Sequence, residues 1–330
     1  MEMVPVSEVR ALYLTSGIAA SDRFEHFLDL LDSTEVNALV IDLKDANGRL
    51  AFRPVTDPII QIVPERQKIR DLPRRIDAIH RNGGLAIARI AVFQDTWYAE
   101  KFPSEALHRS DGSLWRDQIG YAWLDPASPQ VIQYAIDLAY EAVALGFDEV
   151  NFDYIRFPSD GALNRIVYPH WDRVTPRVEV IESFVKRIDT EVRQHGVRTS
   201  ADIFGMSFYA VDGMGIGQQL ERIAPYFDAL APMVYPSHYS AGFGGFSDPA
   251  ANPYGVIAQT LAHGVPRILA LPEAQQPAVR PWLQDFNLGA MYDDAMVRAQ
   301  QQAVIDQTGT ESWMIWNPLG RYHEGALDSQ

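Results

Sequence analysis

Short apolar runs of strand length alternate with helix-patterned segments along the whole chain, and this alternation limits the fold more than any other feature. The runs fall at 11–15, 38–44, 85–91, 149–154, 199–204, 229–234, 279–285 and 312–316. About eight such strands, each leading into a helix, is the number that closes a parallel (β/α)8 barrel. The spacing therefore predicts an α/β fold, a (β/α)8 TIM barrel. A barrel of ~250 residues enlarged by loop insertions accounts for all 330 residues as one domain, 1–330.

The intervening helices carry their own signals. Ser128-Pro129 reads as a cap and first turn, Ile132, Ile136, Ala139 and Val143 recur at three- and four-residue spacing, and Gly146 ends the segment. Further helices are expected at 70–81, 177–195 and 295–308. Phe147-Asp148 and Phe227-Asp228 both open a strand, a faint internal echo. Three connections after strands are long, 92–125, 159–176 and 236–252, so long βα-loop insertions build over the C-terminal face, where barrel enzymes place their active sites. These insertions hold Trp97, Trp115, Trp123, Trp171, Tyr239, Phe243 and Phe246, which either line a cleft or pin the loops to the barrel.

Polar residues collect at the same strand ends. In the run Phe147-Asp-Glu-Val-Asn-Phe-Asp-Tyr-Ile-Arg-Phe-Pro158, alternation puts Asn151 and Asp153 on one face and Val150 and Phe152 on the other. A carboxylate ending a buried strand must be paired, solvated or functional. Asp42, Lys44 and Asp45 follow the second strand; Arg89 and Asp95 flank the end of the third; Arg156 follows Asp153. The series continues with Asp202, with Tyr235 and His238, with Trp282, Gln284 and Asp285, and with Trp316 and Asn317. Acid/base work on a bound substrate needs two carboxyl groups in unlike surroundings, and this rim supplies candidates. Against that, Asp45 precedes the turn sequence Ala46-Asn47-Gly48, Arg89 could simply neutralise a buried acid, and Asp148 and Asp228 precede their strands and belong to the stability face.

Composition removes other classes. Lys+Arg 28 against Asp+Glu 43 gives a net charge of -15, a field that repels polyphosphates, so nucleic acid is not an expected partner. No cysteine is present, which removes disulfides, thiolate metal sites and cysteine nucleophiles and suits an extracytoplasmic protein. Met1-Glu-Met-Val-Pro-Val-Ser7 has neither the basic nor the apolar region of an export signal, and no run reaches membrane-spanning length. Gly213-Met-Gly-Ile-Gly217 lacks the spacing of a dinucleotide fingerprint, and Ser183-Phe-Val-Lys186 lies inside a helical pattern. Histidines are scattered, so no metal and no cofactor is expected.

Six segments carry a resemblance: Val40-Ile-Asp-Leu-Lys-Asp45, Phe152-Asp-Tyr-Ile-Arg-Phe-Pro158, Ala201-Asp-Ile-Phe-Gly205, Pro232-Met-Val-Tyr-Pro-Ser-His-Tyr239, Arg280-Pro-Trp-Leu-Gln-Asp-Phe286 and Trp316-Asn-Pro318. Together they resemble the putative glycosyl hydrolase family catalogued as domain of unknown function 4015. The resemblance implies a carbohydrate-active TIM barrel. A looser likeness to family 18 chitinases fails at the decisive position, since Ile155 stands where that family has its catalytic glutamate and Asn151 replaces an aspartate.

The expected activity is hydrolysis of a poly- or oligosaccharide by paired carboxyls. Asp153 is one, as nucleophile or charge stabiliser, and Asp202 or Asp285 is the other. Substrate-binding candidates are Asp42, Lys44, Asp45, Arg89, Asp95, Arg156, Tyr235, His238, Trp282, Gln284, Trp316 and Asn317. A non-catalytic carbohydrate-binding barrel and a polysaccharide lyase or deacetylase using Tyr235 and His238 stay open as alternatives. The partner expected is a carbohydrate; oligomeric state is not legible in the sequence.

Overall fold

The computed structural model describes residues 8–62 and 69–329; residues 1–7, the segment read above for an export signal, lie outside them. Every strand run named above forms a strand. In chain order they are β1 (Arg10–Leu14), β2 (Ala38–Lys44), β3 (Leu85–Ala91), β4 (Glu149–Asp153), β5 (Arg198–Phe204), β6 (Ala229–Met233), β7 (Ala278–Val279), β8 (Trp282–Gln284) and β9 (Trp313–Trp316). All pairings are parallel, from β1 round to β6, through β7 and β8 to β9, and back from β9 to β1. The barrel is closed, with eight strand positions. The seventh is split because Arg280-Pro281 interrupts it, and proline brings no N–H to the ladder.

Alternation sorts the side chains. Val150 and Phe152 of β4 pack outward with the helices, in one core with Ile136 and Leu138 of helix Pro129–Leu145. A smaller core fills the barrel interior from Ala11, Tyr13, Val40, Ile87, Ala231, Trp282 and Met314. Helix Pro129–Leu145 begins as expected: the Ser128 side chain accepts from the Val131 N–H, Pro129 sits in the first turn, and Gly146 ends it at φ +102°. Its buried stripe runs through Val131, Ala135, Leu138, Ala142 and Leu145, and Val143 lies on the exposed side. The sequence pattern was thus out of phase at that end.

The two Phe-Asp openers do one job. Asp148 Oδ2 accepts the Ala86 N–H at 2.8 Å, and Asp228 Oδ2 accepts the Thr199 N–H at 2.8 Å. Each carboxylate therefore anchors the neighbouring strand at the N-terminal end of the barrel. This leaves the opposite end for the site. Helix Pro253–Leu269, which follows the third long loop, contains Pro266 and was not apparent from periodicity. Among the described residues no helix is long and apolar enough to cross a membrane.

Candidate active site

Three carboxylates from three different strands converge on one guanidinium. Arg89 of β3 donates from one terminal nitrogen to Asp42 Oδ1 of β2 at 2.6 Å and from the other to Asp153 Oδ2 of β4. Its Nε lies 3.7 Å from Asp202 Oδ2 of β5. All four side chains are buried. They meet because β2, β3, β4 and β5 are consecutive neighbours and each presents an inward-facing position within the last three residues of its strand, Asp42 beside Arg89 in register and Asp153 two residues beyond Asn151, the partner of Arg89.

The acids differ in their remaining partners. Asp42 Oδ2 accepts from the Tyr13 hydroxyl at 2.5 Å, and Tyr13 stacks on Trp316 with ring centres 3.7 Å apart. Asp153 Oδ1 accepts the N–H of Tyr154 at 2.5 Å. Tyr154 is held at φ +53°, a conformation that costs a residue with a side chain on the order of 1–3 kcal/mol and recurs where geometry matters for function. Asp202 Oδ1 accepts two donors, Asn151 Nδ2 at 2.8 Å and Trp282 Nε1 at 2.7 Å.

These surroundings push two of the acids, Asp202 and Asp42, upward. Burial, then the charge of Asp153, pushes the Asp202 carboxyl well above the ordinary carboxylate range, against the opposing pull of Arg89. Burial also raises Asp42, again opposed by Arg89 and by the Tyr13 hydrogen bond. With both lone-pair directions of Oδ1 taken by donors, a proton on Asp202 belongs on Oδ2.

Over this cluster opens a cavity of about 430 Å³. Arg89, Asp153 and Asp202 form its charged floor, and Tyr154, Arg156, Phe204, Gly205, Met206, Met233, Tyr235, His238, Tyr239, Trp282, Phe286 and Trp316 complete the lining. Gly205 is constrained here: a Cβ would come within 2.3 Å of the Tyr239 hydroxyl and 2.7 Å of the Met233 carbonyl oxygen. Arg156 is buried with its guanidinium 4.6 Å from the centre of the Phe204 ring and 4.8 Å from that of Trp123, and it donates to Phe157 O at 3.2 Å and Ser159 Oγ at 3.1 Å. Burial draws its pKa down.

Of the residues singled out from sequence, Asp153, Asp202, Arg89, Arg156, Tyr235, His238, Trp282 and Trp316 line this cavity, with Asp42 behind Arg89. The others are placed elsewhere. Lys44 pairs with Asp95 at 2.6 Å, both fully buried, because the β2–β3 register shifts between Asp42 and Lys44 and breaks the alternation. Asp95 also caps helix Thr96–Lys101. Asp45 Oδ1 accepts the N–H groups of Asn47 and Arg49 in its turn. Gln284 braces the neighbouring loop through Ser237, and Asn317 accepts the Leu319 N–H and donates to Asp285 O. Asp285 is clasped by His323, through the backbone N–H at 2.8 Å and ring Nδ1 at 2.5 Å, and does not line the cavity. Burial raises its pKa, opposed by those His323 contacts.

Most loop aromatics turn out to be packing. Trp115 and Trp123 are fully buried, Trp97 and Trp171 pack partly buried against the core, and of the seven only Tyr239 reaches the cavity. Tyr13 and Asn151 were not singled out, although alternation already placed Asn151 on the face of Asp153. Among the described residues no cluster of three or more His, Asp or Glu side chains is arranged to hold a metal.

Residues 11–322 match the model of a family described as a putative glycosyl hydrolase domain. The chain belongs to that family. Its enzyme class is accordingly glycosidase. A hypothetical protein from Ruminiclostridium thermocellum is 33% identical, covering 58% of this chain and 96% of its own, with a TM-score of 0.52. TtGalA, an α-galactosidase from Thermus thermophilus, matches 94% of this glycosyl hydrolase-family chain at 14% identity and a TM-score of 0.57. An α-L-fucosidase, isoenzyme 2, from Paenibacillus thiaminolyticus matches 97% at 15% identity and a TM-score of 0.59. Only 58% and 46% of those two enzymes is covered, and at such identity they share the barrel alone. No curated protein matches.

Proposed function

We propose that this chain hydrolyses glycosidic bonds in a poly- or oligosaccharide, of the cell-wall or exopolysaccharide kind, with Asp153 and Asp202 as the working pair. In this reading residues 1–330 act as one catalytic unit. The observation that carries it is the shared guanidinium at the cavity floor. Asp153, ion-paired to Arg89, and Asp202, raised by burial and by its neighbour's charge, are two acids in unlike surroundings on adjacent strands. Asp202 gives the proton on Oδ2 to the glycosidic oxygen as the bond from that oxygen to the anomeric carbon breaks. Asp153 meets the positive charge developing at that carbon, as nucleophile or as stabilising anion. Water then adds there and its proton returns to the acid. Arg89 is the positioning residue, and Trp316, Tyr235 and Phe286 offer flat faces to sugar rings.

The test is a screen of cell-wall glycans and exopolysaccharides, with release of reducing ends measured for the parent and for Asp153→Asn side by side. The reading expects a cleaved substrate on which the variant, folded as the parent by circular dichroism, has lost nearly all turnover. Equal activity of the two on that substrate would remove Asp153 from the chemistry.

A second reading rests on Tyr235 and His238, which face the same cavity with ring centres 5.3 Å apart. A Tyr/His pair suits proton abstraction in a lyase, and burial holds the His238 pKa down toward the neutral base. Lyase products carry an ultraviolet-absorbing unsaturated end that hydrolysis does not form.

A further inference from the structure

Among the described residues three arginines are buried, Arg89, Arg156 and Arg280, and Arg156 has no acid within ion-pair distance. Arg89 has Asp42 and Asp153, and Arg280 has Glu149 at 2.8 Å. Arg156 is 7% exposed and, among the described residues, no carboxylate lies within ion-pair distance; Asp153, Asp160 and Asp117 act on it only through space. Its hydrogen bonds, to Phe157 O and Ser159 Oγ, both start from the same terminal nitrogen. The rings of Trp123, Tyr154 and Phe204 pack around the guanidinium with centroids between 4.6 and 5.4 Å away. An unpaired cation is expensive to bury, and ring faces offset only part of that cost. What remains is a cation held rigid at the wall of the cavity, beside the two acids of the floor.

A planar guanidinium with free donors fits a carboxylate in two parallel hydrogen bonds. The chain's net charge of -15 repels anions at long range, so an anionic ligand needs such a local cation to be held at all. We propose that the cavity is specific for a sugar bearing a carboxylate, and that Arg156 binds that group. This rests on the glycosidase reading for the identity of the ligand as a sugar, and names its substrate class: glycans with uronic acid or carboxyl-ether residues.

The test uses monosaccharides, which have no glycosidic bond, so that recognition and hydrolysis are read separately. Glucuronate, galacturonate and mannuronate are titrated against the full chain by saturation-transfer NMR beside glucose, galactose and mannose. N-acetylmuramic acid is titrated beside N-acetylglucosamine, which separates a ring carboxylate from an ether-borne one. At least one acidic sugar is expected to bind on the order of tenfold or more tightly than its neutral counterpart. Arg156→Met should erase that preference and Arg156→Lys keep part of it. If no acidic sugar outbinds its counterpart on the parent chain, or if the preference survives in Arg156→Met, the proposal is overturned. The parent comparison needs no variant, so a poorly folding Arg156→Met leaves it decisive. A failed glycan-cleavage screen with the preference intact would count against hydrolysis and not against Arg156.

Discussion

Two levels of the same barrel interior each hold a buried arginine among acids, and they behave in opposite ways. At the lower level Arg280 pairs with Glu149, which also accepts from Ser200 Oγ at 2.6 Å. At the upper level, four residues further along β4 and so about 13 Å away, one Arg89 faces Asp42, Asp153 and Asp202. Burial pushes Glu149 up, but Arg280 and Ser200 outweigh it and the net shift is downward. The same burial wins at Asp202, where a like charge adds to it and one guanidinium is spread over three acids. With Glu149 and Asp202 both fully buried, the ratio of cations to acids separates the directions of their two shifts. Arg89, Asp153 and Asp202 of the mismatched level line the cavity, and neither Glu149 nor Arg280 does.

That contrast can be broken by substitution. The largest effect is expected at the mouth: Asp202→Asn should lower turnover about 10²–10⁴-fold, the usual range for a lost general acid, and aryl glycosides with good leaving groups should lose least. Arg280→Met should do the reverse. Leaving Glu149 buried and unpaired costs roughly 3–5 kcal/mol, read by chemical denaturation, while turnover per folded molecule stays near the parent's. Comparable losses of turnover in the two variants would show that the levels do not divide the labour.

The pH dependence of stability sharpens the comparison, because the two shifts have opposite sign. Native Asp202 keeps a proton that the unfolded chain releases near the ordinary ~3.9. Its stabilising contribution is therefore complete below that pH and is lost as pH rises through the raised native value. Glu149 contributes above the ordinary ~4.3 and loses that contribution as pH falls through its lowered native value. In denaturation curves across pH, Asp202→Asn should flatten the decline at higher pH and Glu149→Gln the decline in acid. The smallest effect is expected for Tyr13→Phe, which removes one hydrogen bond to Asp42 and costs roughly 1–2 kcal/mol.

The strands were legible because buried parallel strands write themselves as apolar runs, and Asp153 stood out because a carboxylate ended one of them. The Phe-Asp openers were legible as stability-face residues for the same topological reason. What stayed hidden is what depends on partners far along the chain. Arg89 reaches Asp42 across 47 residues and Asp153 across 64, and no local pattern reports that they share a guanidinium. Lys44 was expected at the rim, but the register shift after Asp42 turns it to Asp95. Asp285 was a candidate for the second acid, and its clasp by His323 depends on how the C-terminal segment returns to the barrel. Helix Pro253–Leu269 was masked by Gly255, Gly264 and Pro266, residues that read as breakers unless tertiary packing overrides them.

The most direct test of the paired acids is a carbon-13 NMR titration of carboxyl-labelled aspartate in the parent chain and in Asp153→Asn. The account predicts that Asp202 titrates well above the ordinary carboxylate range in the parent and moves down when the charge of Asp153 is removed. An Asp202 that titrates near ~3.9, or that does not respond to the loss of Asp153, would contradict it.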